Sequence, residues 1–163
     1  MIAGSICSFL LVAADCARAQ DLTGVVTPEQ ITTNQRLFDV YSKRYKPNKK
    51  AISQLNEVQD SLQIIVAFGM WCHDSKKHVP ALLRVLRELD NPRITTEFRA
   101  LTRKKEDPKN TKNAFNIIRT PTIMLFRSGS ELGRIIETPR ESVEEDLVSI
   151  IRGDYVPMPL REH

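Results

Sequence analysis

Cysteine is scarce in this chain: Cys7, Cys16 and Cys72 are its three cysteines in 163 residues. That is too few for a disulfide scaffold and too few to hold a structural zinc by thiolates alone. An excess of one charge is also lacking. Lys plus Arg total 24 against 20 Asp plus Glu, a net charge of +4 with the signs mixed along the chain. So small an excess makes no nucleic-acid footprint. No apolar stretch reaches the roughly 20 residues that a membrane-spanning helix needs, and no internal repeat or low-complexity tract is present. What is there is ordinary globular composition, 41% hydrophobic and 27% charged, which excludes a disordered, collagen-like or coiled-coil chain. The length favours one domain.

Ile2 to Ala14 is apolar apart from Gly4, Ser5, Cys7 and Ser8, and Ala17-Arg18-Ala19 follows. This has the length of a signal-peptide core with an A-x-A site, and cleavage is expected before Gln20. No Lys or Arg precedes the core, a departure from the usual basic start. The reading is a signal peptide over 1–19 and an exported protein with no stable membrane insertion after cleavage. The alternative is a buried N-terminal helix in a cytoplasmic protein. Acylation of Cys16 is disfavoured because Asp15 stands where a small residue is expected. Cleavage leaves Cys72 alone, and one cysteine cannot form an intramolecular disulfide. Such a thiol in an oxidising compartment is either buried and inert or reactive.

Residues 20–26 read as a short tether. Thr27-Pro28-Glu29-Gln30 carries a helix start, with Thr as N-cap and Pro first. Ile31, Phe38, Tyr41 and Tyr45 follow at helical spacing until Pro47, which predicts a helix over 28–46. A second short helix is predicted over 49–58. Leu62 to Phe68 is a continuous apolar, β-branched run, the pattern of a strand buried on both faces. The pattern then predicts a helix over 74–89, a strand from Ile94 to Leu101 and a charged solvated loop over 103–112 running into a short helix. A strand over 122–126, a turn at Ser128-Gly129 and a strand over 132–136 form a hairpin. Thr138-Pro139-Arg140-Glu141 predicts the start of a final helix, which Gly153 closes. Helices alternating with buried strands give an α/β fold: a central mixed sheet covered by helices on both faces, with an extra N-terminal helix.

Trp71-Cys72-His73-Asp74-Ser75 falls between the central strand and the long helix. A cysteine at a helix start faces unpaired backbone N–H groups and the positive end of the helix dipole, which together favour thiolate, the nucleophilic form. The Ser75 hydroxyl, three residues on, is placed to donate to that sulfur. His73 adds positive charge when protonated, and Asp74 opposes it. His78 reads as a surface residue. Contiguous Cys72, His73 and Asp74 make a poor chelate, and no second cluster completes a metal site.

Here the chain resembles the thioredoxin superfamily, from about Leu62 to Ile151. Trp71-Cys72 is similar to the family's active-site start. Pro80, eight residues later, matches the proline within the active-site helix. Thr120-Pro121-Thr122 matches the loop with the family's cis-proline, and Gly129 the hairpin glycine. The resemblance implies a thioredoxin-like fold over 61–153, a helical extension over 20–60, a tail over 154–163 and a reactive site at Cys72. It departs from C-x-x-C: Ser75 stands at the resolving cysteine, Val66 stands where thioredoxins proper bury an acid, and no Gly-Gly pair follows Pro121. The C-H-D-S stretch is similar to a bacterial thioredoxin-like group with one active-site cysteine, so export implies the periplasm.

A lone thiol attacks a disulfide or sulfenic acid and needs a second thiol to be released. The resemblance therefore implies a monothiol exchange protein with Cys72 and Ser75 at its centre. Trp71, His73, Thr120 and Pro121 contact the substrate, and no cofactor or metal is implied. Its partners would be protein thiols or disulfides, with a reducing thioredoxin-like partner or glutathione, and no nucleic acid. The alternative is a redox-inactive binding or chaperone module using the same groove.

Overall fold

The computed structural model describes residues 22–159, so the expected signal peptide lies outside the described residues. Five strands form one mixed sheet: β1 Gly24–Val26, β2 Leu62–Phe68, β3 Ile94–Ala100, β4 Thr122–Arg127 and β5 Ser130–Ile136. Their order is β1-β3-β2-β4-β5, with β2 and β3 parallel and the other pairs antiparallel. Six helices complete the described residues: α1 Pro28–Asn34, α2 Arg36–Arg44, α3 Lys49–Asn56, α4 His73–Glu88, α5 Thr111–Ala114 and α6 Val143–Arg152. This is the α/β arrangement that the alternating pattern implied, in the thioredoxin-like form that the resemblance implied.

The central position of β2 explains its composition. Alternate residues of a strand face opposite ways, and both faces here are covered. Ile64, Val66 and Phe68 enter the larger core, shared with α1, α2, α3, α4 and α6. Ile65 and Ala67 enter a smaller one with Leu101, Ile117 and Met124, beneath the 101–118 segment that carries α5. The segment before β2 belongs to the same core. Phe38 on α2 is fully buried and meets Phe68 edge-on at 6.2 Å, and Phe68 meets Phe98 of β3 at 6.3 Å. Such pairs add about 0.5–1.5 kcal/mol each beyond area burial, so α2 is fastened to the sheet.

Several expectations are corrected. Gly24–Val26 is not a tether but an edge strand on β3; Gly24 and Val26 are buried and Val25 exposed, but three residues are too short a run to be read as a strand from the sequence. The helix expected over 28–46 is two helices meeting at Gln35, which is extended at φ −131°, ψ 107°. Thr32, Thr33 and Asn34 are weak helix formers, and Ile31 and Phe38, on either side of the break, are both fully buried. Tyr41 is not part of the buried stripe; it is 42% exposed. The charged loop is less solvated than expected: Thr111 is fully buried, and Asp107 accepts its N–H at 2.7 Å and its hydroxyl at 2.8 Å. The last helix starts at Val143, not at Pro139. Ser142 is its N-cap, and the Asp146 carboxylate folds the preceding loop by accepting from the N–H groups of Arg140 (2.7 Å) and Glu141 (3.2 Å). In the tail, Tyr155 packs back against the core.

One buried carboxylate joins the early helices to the last. Glu144 on α6 is 1% exposed and accepts from the Tyr45 hydroxyl (3.1 and 2.9 Å to its two oxygens) and from the Asn48 N–H at 2.8 Å. Burial, and then the carboxylate it donates to, raises the ionisation of Tyr45 far above its ordinary value. The folded value lies above the unfolded one. The stabilisation is therefore complete below about pH 10 and lost as pH climbs through the folded value. Tyr45→Phe should cost about 1–2 kcal/mol at pH 7, the lower part of the range for a bond to a charged group because Tyr45 is half-buried. Urea melts check this, and the gap between wild type and variant should narrow above about pH 10; an unchanged gap would assign the stabilisation to another group.

Candidate functional site

The site is a consequence of where β2 ends. Its last carbonyl, on Phe68, accepts the Leu101 N–H at 2.7 Å, and the chain then turns through Gly69, Met70 and Trp71 into α4. Cys72 is the N-cap of α4, extended at φ −77°, ψ 132°, with its N–H donated to the Gly69 carbonyl at 3.0 Å. α4 runs from His73 through Pro80 to Glu88, although the proline removes one main-chain donor.

Trp71 and Cys72 are hooked to the ends of the two strands that flank β2. The Trp71 Nε1–H donates to the Leu101 carbonyl just past β3, at 3.1 Å. The Cys72 Sγ–H donates to the Thr120 carbonyl just before β4, at 3.0 Å. The Thr120–Pro121 peptide bond is cis. Thr120 is 5% exposed and Pro121 is buried. The Pro121 carbonyl is occupied by the Glu137 N–H at 2.8 Å, and the Thr122 hydroxyl donates to the Arg119 carbonyl at 2.7 Å. The loop thus meets the sulfur with a fixed main chain. Cys72 itself is half-buried and carries no disulfide.

Ser75 is placed differently from expectation. It is fully buried, and its Oγ accepts the Gly69 N–H at 3.2 Å. The sulfur's hydrogen bond goes to Thr120, and Cys72 makes no side-chain bond to the helix N–H groups. Among the described residues, the expected Ser75–sulfur hydrogen bond is therefore replaced by one that ties the start of α4 to the end of β2. The bond that the sulfur does make uses the thiol proton, so ionisation breaks it.

His73 is exposed, whereas His78 is buried at 7%, contrary to the surface position expected for it. The helical period sets it between Ser75 and Leu82, both fully buried. Two features were missed in the sequence. The Arg103 guanidinium lies over the Trp71 ring, 5.6 Å from its centroid, which brings one member of the charged run beside the site. A groove of about 660 Å³ also lies beside His73. Leu37, Tyr41, Arg44 and Tyr45 line it from α2 and its end, and His73, Lys76 and Lys77 from α4. Leu37, Tyr41 and Arg44, spaced four and three apart, were the signal that could have found it. Among the described residues no group of three or more metal-ligating side chains comes together, and no helix is long and apolar enough to cross a membrane.

The family model described as thioredoxin matches residues 26–149. No curated protein matches the chain. Among solved structures, the protein of unknown function PA1234 from Pseudomonas aeruginosa is similar at 19% identity, with 74% of this chain and 85% of that one covered and a TM-score of 0.58. An HIV epitope scaffold is similar at 20% identity, covering 75% and 76%, with a TM-score of 0.51. Both likenesses are to the fold.

Gly69 is the residue on which Trp71 rests. A Cβ at this position would lie 2.6–2.9 Å from three atoms of the indole. Gly69→Ala should displace the ring and break its bond to Leu101, at a cost of about 1–3 kcal/mol. Trp71 is the chain's single tryptophan, so its emission reports on this directly. The expected result is a red shift with a lower urea midpoint; an unchanged spectrum would mean that the ring does not need the glycine.

Proposed function

The chain belongs to the thioredoxin family, and we propose that within it the protein performs monothiol thiol–disulfide exchange through Cys72. The observation that carries this reading is a half-buried cysteine at the N-cap of α4 whose sulfur lies 3.0 Å from the Thr120 carbonyl, before β4. The helix start also offers the sulfur a positive dipole end.

On this reading, Cys72 loses its proton to solvent and releases the Thr120 carbonyl. The thiolate attacks one sulfur of a substrate disulfide. A new S–S bond forms to Cys72, the substrate S–S bond breaks, and the departing sulfur leaves as a thiolate that takes up a proton. The number of disulfides is unchanged. A second thiol, from the substrate, from glutathione or from a reducing partner, then attacks the mixed disulfide and restores Cys72. The freed Thr120 carbonyl accepts from a substrate segment in extended pairing. Trp71 forms one wall of the site and His73 borders the other. Ser75 acts as a positioning residue by holding the turn. A periplasmic location rests on the leader read in residues 1–19.

The test uses a peptide in mixed disulfide with thionitrobenzoate. The full chain should release the chromophore faster than an unstructured cysteine peptide at the same pH and carry the peptide on Cys72 by mass spectrometry. Cys72→Ser should lose both signals. Release only after unfolding would overturn the reading and leave the binding-module alternative. In a second test, Ser75→Cys supplies a resolving thiol one helical turn away and should give turnover with dithiothreitol. A folded Ser75→Cys protein inert towards a model disulfide would mean that position 75 does not face the exchanging sulfur.

A further inference from the structure

We propose that the groove between α2 and the first turns of α4 docks an acidic stretch of the protein whose thiol or disulfide reacts at Cys72. The proposal rests on the exchange reading for its purpose, but its geometry stands apart from the sulfur.

The groove joins apolar surface to unpaired positive charge. Leu37 and Tyr41 are 47% and 42% exposed, while Phe38 between them is fully buried. With Arg44 they form a stripe of two helical turns, about 10 Å long. Lys76 and Lys77 face this stripe from α4, with His73 at the end nearest Cys72. Arg44, Lys76 and Lys77 make no ion pair among the described residues. Of the nearby carboxylates, Asp74 in the first turn of α4 does not line the groove, and two others are used elsewhere. Asp39 is held by Lys43 at 2.8 Å, and Glu144 lies buried under the Tyr45 hydroxyl. No carboxylate lines the groove.

Three unpaired cations around a leucine and two tyrosines complement carboxylates interleaved with apolar side chains. A length of two turns and a volume of about 660 Å³ suit several residues of a polypeptide better than a single anion. The charge would also steer such a partner towards the end of the groove where His73 adjoins Cys72.

The test uses the full chain and three thiol-free fluorescent peptides of equal length with a central leucine, flanked by Asp/Glu, by Asn/Gln or by Lys. The acidic peptide should bind best, and its affinity should fall as salt rises. The exposed pair Arg44→Glu and Lys77→Glu should weaken it about tenfold, and Arg44→Gln with Lys77→Gln by less. Urea melts confirm that the variants are folded. Equal binding of acidic and uncharged peptides, or no effect of charge reversal, overturns the proposal. So does preferential binding to phosphatidylglycerol vesicles. The same peptides as thionitrobenzoate disulfides separate the two readings. Acidic-peptide binding without chromophore release sinks the exchange reading and leaves the docking site standing. Release at equal rates from all three peptides, unaffected by the variants, sinks the docking site alone.

Discussion

The structure depends on β2 being buried on both faces. A strand in that position has no solvent side, so every side chain from Ile64 to Phe68 must be apolar, and its main-chain groups must pair with neighbours on both edges. β3 and β4 provide those edges. The same three strands then fix the candidate site. Trp71 and Cys72 are consecutive residues just past the end of β2, and each donates to a carbonyl beyond one flanking strand, Leu101 on the β3 side and Thr120 on the β4 side. Leu101 serves twice, since its own N–H closes onto the Phe68 carbonyl. The sulfur is therefore positioned by the sheet rather than by a loop free to move.

A second constraint works against the apolar core. Glu144 and Asp146 are almost wholly buried on α6, and a buried carboxylate is costly unless hydrogen-bonded. Each takes main-chain N–H groups from a different segment, Glu144 from Asn48 and Asp146 from Arg140 and Glu141. Burial still outweighs those bonds at Asp146 and holds its carboxyl above the usual range. The Glu144 contacts also hold Tyr45 at the edge of the groove. The early helices are thus built into the molecule at two points, the phenylalanine contacts at the sheet and the carboxylate at α6.

The fold was largely legible in the sequence because strong patterns have direct physical causes. The continuous apolar run of β2, the two-residue turn at Ser128-Gly129 and the closing Gly153 lie where they were read, and both turn residues and Gly153 take positive φ. Less legible were features set by contacts distant in sequence. The start of α6 depends on Asp146 reaching back to Arg140 and Glu141, which outweighed a plausible capping sequence at Thr138. β1 exists because β3 offers an edge. At the site, the position of Cys72 on α4 followed from punctuation by Gly69 and the helical pattern, but the direction of Ser75 did not. A hydroxyl three residues into a helix can serve the sulfur or the preceding turn, and Gly69 took it.

That choice has a chemical consequence. Where a dithiol protein keeps its resolving thiol, this chain has a buried hydroxyl engaged with the turn before α4. On the exchange reading, a mixed disulfide on Cys72 then has no internal route to release, and its lifetime is set by access of an outside thiol. A long-lived covalent complex makes selection before the chemical step more important, because a wrong partner is held as firmly as a right one. On that reading, selection needs surface beside the sulfur, and the groove between α2 and α4 is the candidate: α2 is fastened by Phe38 and Tyr45, and Arg44 of α2 with Lys76 and Lys77 of α4 make no ion pair among the described residues.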